Sequence, residues 1–322
     1  MPTPDTVPAA GSPAGTAAAG AAGVVGQGDS AAGDVTPGAG QGDRGALPGA
    51  VGAWLRFLRS ELRLILGRRR NQVGLAVLAA VPVVIAIAVK VADPASGGDD
   101  ATFLDQITGN GFFVALAALA LEIGLFLPLA VAVLAGDSVA GEANVGTLRG
   151  LLVVPVTRGR LLAVKYVAMV LGALLGVVLV AVVGLVAGAA LFGLHPVVTL
   201  SGTTLGLGAG LVRLALVVLY VTAYLAALGA LGLFVSTLTE QPMGATVGII
   251  ILSTAMWILD SIEQLHWLHP WLLVDHQLAL VDLLRDPVYT HDLSLGLLTD
   301  LAYAVVFLAA AWARFSSKDV TS

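Results

Sequence analysis

Apolar positions in this chain are gathered into long blocks, and the polar positions fall between them. A helix needs about 20 predominantly apolar residues to cross the hydrocarbon core of a bilayer. Six blocks meet that length or approach it: Val73–Val91, Phe112–Ala135, Leu161–Leu194, Leu214–Leu238, Met243–Leu259 and Leu293–Phe315. Glycine is frequent within them, and small residues let helices approach closely in lipid, so a tight bundle is expected. Two further segments have a helical period without being apolar throughout. In Val51–Arg70, Arg56, Arg59, Arg63 and Arg70 share one face, and Trp54, Leu55, Leu58, Leu62 and Ile65 form the adjacent apolar face. This predicts an amphipathic helix on the inner membrane surface. In Asp260–Asp292, Pro270 suits a first helical turn, Leu273, Leu280 and Leu284 share a face, and Asp275, Asp282 and Asp286 lie opposite. That pattern predicts an interfacial helix on the outer surface rather than a seventh span.

The predicted fold is therefore an all-α integral membrane protein with six transmembrane helices. Residues 1–50 form an Ala/Gly/Pro-rich tail, 51–72 the amphipathic interfacial helix, 73–316 the six-helix domain and 317–322 a short tail. Composition agrees: 57% of the 322 residues are hydrophobic and 11% charged, against about 25% charge in soluble domains. The first 50 residues carry almost no large apolar side chain, too few to offset the entropy of ordering them, so the tail is expected to be disordered. It lacks the basic start and apolar run of a secretory signal, which leaves the first span as an uncleaved signal anchor. The absence of cysteine excludes disulfides, thiolate metal sites and cysteine nucleophiles.

Orientation follows from Lys and Arg. With both termini cytoplasmic, the inner side holds Arg56, Arg59, Arg63, Arg68, Arg69, Arg70, Arg149, Arg158, Arg160, Lys165, Arg314 and Lys318, and the outer side holds Lys90, Arg213 and Arg285. Lys90 ends the first span and is placed to snorkel. The inner loop Asp137–Arg160 is basic, and the second inner loop, Ser236–Met243 with Glu240 and Pro242, is short enough to be a helix-to-helix turn.

The first inner loop has the most informative sequence. Gly141–Lys165 reads GEANVGTLRGLLVVPVTRGRLLAVK, with Glu142 followed by Gly146, Thr147 and Leu148, then Leu151 and Leu152, Pro155, Arg158 and Lys165. This stretch resembles the first cytoplasmic loop of ABC-2-type transporter permeases. The ending is similar too: Pro270–Leu272, Leu283–Pro287 and the closing Ala-Trp-Ala-Arg-Phe before Lys318 and Asp319. The resemblance extends over about residues 51–320.

The resemblance implies a division of labour. Such permeases pair as dimers, with a second copy or a homologue, and bind two ATPase subunits. Their first inner loop forms a coupling helix on the ATPase, and ATP hydrolysis drives transport, commonly export. The coupling residues would be Glu142, Gly146, Thr147, Leu148, Arg149, Leu152, Pro155 and Arg158. Apolar knobs at Leu148, Leu151 and Leu152 suit a groove, Glu142, Arg149, Arg158 and Arg160 suit its rim, and Pro155 stops the helix. The charges alone are equally those of a loop that fixes topology. The chain contains no GxxxxGK[ST] phosphate-binding loop and no Gly-Lys pair, so ATP and Mg are expected on the partner and no cofactor on this chain. Leu200–Gly202 is similar to an ABC signature fragment but lies in an outer loop. The expected partners are an ATPase, a second permease and the lipid bilayer, with no nucleic acid. The expected location is a bacterial cell membrane.

Ionisable residues within spans suggest function. Glu122 falls near the middle of the second span and Asp300 in the outer half of the sixth, which makes both transport-path candidates. Arg213 is a partner for Glu122 if its side chain reaches inward, and a protonated carboxyl bonded to backbone is the plainer alternative. His266, His269, His276 and His291 gather near Asp260, Glu263 and Asp275, but Pro270 interrupts the run, and no metal site is expected. No catalytic residue is expected either. A metal-dependent intramembrane hydrolase would use these outer residues, yet neither HExxH nor GxSxG occurs. A non-transporting membrane anchor subunit is the other alternative.

Overall fold

A computed structural model describes residues 50–92, 110–141 and 158–317, all within one compact unit, Pro48–Ser322. Residues 1–49 and 318–322 of the two expected tails lie outside the described residues, as does most of the first inner loop, residues 142–157. The helices are α1 Ala50–Gly67, α2 Arg69–Ala92, α3 Gly111–Glu122, α4 Phe126–Ser138, α5 Arg158–Phe192, α6 Leu207–Leu238, α7 Pro242–Asp260 and α8 His291–Ser317. A minimal antiparallel pair, β1 Val197–Val198 with β2 Thr204–Leu205, joins α5 to α6. Among the described residues, five helices (α2, α5, α6, α7 and α8) are long and apolar enough to cross a membrane, and a sixth span results if the bent pair α3 and α4 counts as one. The chain is an all-α, multi-pass membrane protein.

The second expected span, Phe112–Ala135, is not a continuous helix. It breaks between Glu122 and Phe126, and its halves meet at 53°. Pro128 supplies the cause. It has no N–H to bond the carbonyl four residues earlier, at Gly124, and its ring would collide with that carbonyl. Placed in the first turn of α4, where N–H groups have no intrahelical partner, the same proline is tolerated.

α6 runs through the middle of the bundle. Its second half is buried nearly all round, including Val221, Tyr224, Leu228, Ala230 and Leu233, while Leu211, Val212, Leu216 and Leu219 of its first half are exposed. In contrast, only 11% of the spanning window of α7 is buried, and Met243, Val247, Ile251 and Trp257 point outward. Glycine sets the closest crossing. Gly184 and Gly188 of α5 face Gly111 and Ala115 of α3, and a Cβ on Gly188 would lie 2.2 Å from the Gly111 carbonyl oxygen. Without a hydrophobic drive between helices in lipid, this van der Waals fit is a principal source of cohesion.

α1 lies against the first half of α5, with Leu58 buried on Val164 and Ala168 and Glu61 paired to the buried Lys165 at 3.7 Å. Arg56, Arg59 and Arg63 remain exposed. The turn into α2 is closed by side chains: Asn71 Nδ2 donates to the Ile65 carbonyl at 2.8 Å and Gln72 Nε2 to that of Leu66 at 3.0 Å. These bonds satisfy carbonyls that the end of α1 leaves open.

Residues 260–292 correct the expectation of one amphipathic helix. After α7 the chain makes 3-10 turns at Glu263–Leu265, His269–Trp271 and Gln277–Leu284. Leu272, Leu273, Val274, Leu280 and Leu283 are buried, but so are Gln277 and Asp282; the expected aspartate face is therefore not a solvent face. Asp282 is buried because Arg285 holds it at 3.1 Å. Tyr220 and Tyr303 fasten the segment to α6 and α8, donating to the carbonyls of His276 at 2.6 Å and Trp271 at 2.8 Å. The segment is a cap packed on the bundle end.

Candidate functional site

The break in the second span positions the candidate site. α3 begins with Asn110, whose Oδ1 accepts from the Phe112 N–H at 3.1 Å while its Nδ2 donates to the carbonyls of His195 and Pro196. From there 12 helical residues extend about 18 Å, and the helix ends at Glu122, inside the bundle. Glu122 is wholly buried, and neither carboxylate oxygen has a hydrogen-bond partner among the described residues. The suggested reach of Arg213 to Glu122 is not made.

A cavity of about 430 Å3 opens beside the break. One wall is Leu121, Gly124, Leu125, Pro128 and Ala132 of the broken span, and the opposite wall is Ile249, Ile250, Ser253, Thr254 and Trp257 of α7. Tyr224 of α6 and Gln277 of the cap complete it, and the Gln277 Oε1 atom is buried without a partner. The lining is mainly apolar with a few convergent polar groups, the usual character of a small-molecule site. Glu122 does not line this cavity, although Leu121 and Gly124 on either side of it do. Thr254, Trp257, Leu121 and Leu125 are exposed, so the cavity faces the side of the bundle.

Asp300 is buried in α8. It is not among the residues that line the break cavity. Of the expected coupling residues, Glu142, Gly146, Thr147, Leu148, Arg149, Leu152 and Pro155 lie outside the described residues, and Arg158 begins α5.

The anchoring of the loop's two ends is described. Asp137, in the last turn of α4, accepts from Arg68 at 2.6 Å and also from Arg70, which ties α4 to the α1–α2 turn. A carboxylate is unfavourable at a helix C-terminus, and the two arginines compensate. Ser236 of α6 accepts from the N–H groups of Val139 at 3.3 Å and Ala140 at 3.0 Å and donates to the Gly136 carbonyl at 3.2 Å. At the far side of the loop, Leu161 and Leu162 pack with Val139, Leu233, Ala311 and Phe315. Both loop ends, α1 and the end of α8 thus share one end of the bundle. Ser236, Tyr224 and Gln277 have no periodicity or spacing in the sequence that marks them. Pro128 marks the break, but proline alone does not distinguish it, since Pro82 lies inside the unbroken α2.

At the opposite end, Asp260, His269 and Asp275 come together, while His266 is exposed and His291 stacks edge-on to Tyr289.

No curated protein matches the chain. Residues 79–321, from within α2 to beyond the end of α8, match the family described as "Protein of unknown function (DUF2705)". With most of its length matched, including every span after the first half of α2, the chain belongs to the DUF2705 family.

Proposed function

We propose that this chain is the permease subunit of an ABC transporter, a six-span protein with cytoplasmic termini in the cell membrane, driven by an ATPase on a separate chain and working in export. The observation that carries the reading is the broken second span, with a buried Glu122 that has no hydrogen-bond partner among the described residues at the break, and a cavity beside it. Interrupted helices at mid-membrane depth are a recurrent substrate-site device in transporters, and an ionisable residue there is costly unless function retains it. The basic end of the bundle supports the orientation, and the loop sequence Glu142–Arg158 supports the partner.

In this reading the loop is a lever with fixed ends. Arg68, Arg70 and Ser236 hold the α4 side, and the Leu161–Leu162 cluster holds the α5 side. A push on the loop is delivered to α4, and α4 hinges on α3 at the break. Glu122 and the polar groups of the cavity then act on the transport path, and a second permease copy completes the assembly. Asp300 has a supporting role in the α6–α8 core.

The test is a double charge reversal, Glu142→Lys with Arg149→Glu, in the complex purified from its own membrane. The reading expects loss of the ATPase subunit and of ATP-driven transport with the bundle still folded. Full retention of both would remove the loop from the coupling role.

A further inference from the structure

At the acidic end of the bundle, away from the loop, three side chains from two elements converge. Asp260 is the last residue of α7, His269 opens a 3-10 turn of the cap, and Asp275 follows in the same cap. One ligand atom from each lies within 4.8 Å of the other two, and all three side chains are half-buried. Two carboxylates this close repel unless a proton or a cation stands between them. Among the described residues Asp260 Oδ1 is buried with no hydrogen-bond partner, a strong acceptor withdrawn from water. His269 Nε2 lies 3.1 Å from the Ile262 carbonyl. The tautomer that donates there leaves Nδ1 with its lone pair, and a backbone carbonyl on the far nitrogen is the usual means of orienting a metal-binding histidine. His276 Nδ1 also stands 3.1 Å from Asp275 Oδ2, without hydrogen-bond geometry.

We propose that Asp260, His269 and Asp275 bind one divalent transition-metal ion, which clamps the end of α7 to the cap. One imidazole nitrogen with two carboxylate oxygens favours zinc among the common ions, with manganese next and magnesium well behind. Around a zinc ion with bonds of about 2.0–2.2 Å, tetrahedral ligand atoms lie about 3.4 Å apart, so small side-chain rotations close the site, and the fourth position is open to water. The neighbouring Glu263 adds negative potential that concentrates cations at this end.

The experiment uses the full chain, purified in lipid nanodiscs and stripped with a chelator. Zinc binding is measured by calorimetry, metal content after dialysis by mass spectrometry, and the thermal midpoint with and without zinc. The expected result is one zinc per chain and a raised midpoint, since an ion that binds only the folded state stabilises it. Asp260→Asn, His269→Gln and Asp275→Asn should each weaken binding at least tenfold, and His266→Gln, which alters an exposed neighbour, should bind as the parent does. The apo midpoints of the variants report folding separately from metal loss. Absence of saturable zinc binding, binding unchanged in all three variants, or an equal loss in His266→Gln would each overturn the proposal.

Discussion

The hydroxyl of Ser236 accepts a hydrogen bond from the backbone N–H of Ala140 at 3.0 Å, across 96 residues of sequence. This single side chain joins the central helix α6 to the point where the loop between α4 and α5 leaves α4. Ser236→Ala strands the N–H groups of Val139 and Ala140 and the Gly136 carbonyl in a buried site. An unsatisfied buried group costs about 1–3 kcal/mol, so the variant should lose thermal stability by that order. It should also show weaker transport per folded molecule, because the lever has lost a fixed point. Thermal unfolding and transport on the same preparation check both.

Glu122 offers the opposite sign. A buried carboxyl with no partner destabilises the fold that contains it, so Glu122→Leu should raise the thermal midpoint while abolishing transport. Glu122→Gln should preserve folding and alter transport kinetics more than expression. A variant that is less stable than the parent, or one that transports normally, would separate Glu122 from the path.

The α3–α5 crossing admits no side chain at Gly188, where a Cβ would meet the Gly111 carbonyl oxygen at 2.2 Å. Gly188→Val should sharply reduce recovery of monodisperse protein. Gly208→Ala is the matched control, since nothing lies within 4 Å of a Cβ there, and the helix should gain from the lower entropy of the unfolded chain, by about 0.4–1 kcal/mol. Size-exclusion profiles of the two variants make the comparison.

The α1 helix is held to α5 by the Leu58 contact and by Glu61 beside the buried Lys165. Glu61→Lys brings two cations together at a site where Lys165 is only 3% exposed. Limited proteolysis should then cleave within 50–67 at rates well above the parent's, while the spans stay protected. Unchanged protection of α1 would show that the apolar contacts suffice.

Much of this architecture is legible in the residues, and the parts that are not have physical reasons. Block hydropathy locates the spans because lipid demands long apolar helices, and α2, α5, α6, α7 and α8 cover the first, third, fourth, fifth and sixth expected segments. The break at Pro128 is harder to read because membrane helices often carry proline without interruption; here Gly124, four residues earlier, is the position whose carbonyl the ring displaces. In the cap, leucine and aspartate spacing suggests a two-faced helix, but Asp282 is buried beside Arg285, and the chain turns in 3-10 geometry. Tyr224, Ser253 and Gln277 meet at the cavity from α6, α7 and the cap, a convergence that no local pattern encodes. Sequence proximity gathers the outer histidines and aspartates in one region, but the His266–His269 spacing is not what the fold uses; it joins His269 to Asp260 and Asp275.

The central claim is that an external ATPase moves the broken span. It is tested most directly by reconstituting the complex purified from its own membrane into vesicles, with a spectroscopic probe pair on α3 and α4 spanning the Glu122–Phe126 break, and recording the angle with and without ATP. The account predicts a co-purified ATPase in fixed ratio and an ATP-dependent change in the 53° bend that disappears in the Glu142→Lys, Arg149→Glu variant. A chain that purifies alone and carries out its activity without nucleotide, or a bend indifferent to ATP in an active complex, would contradict it.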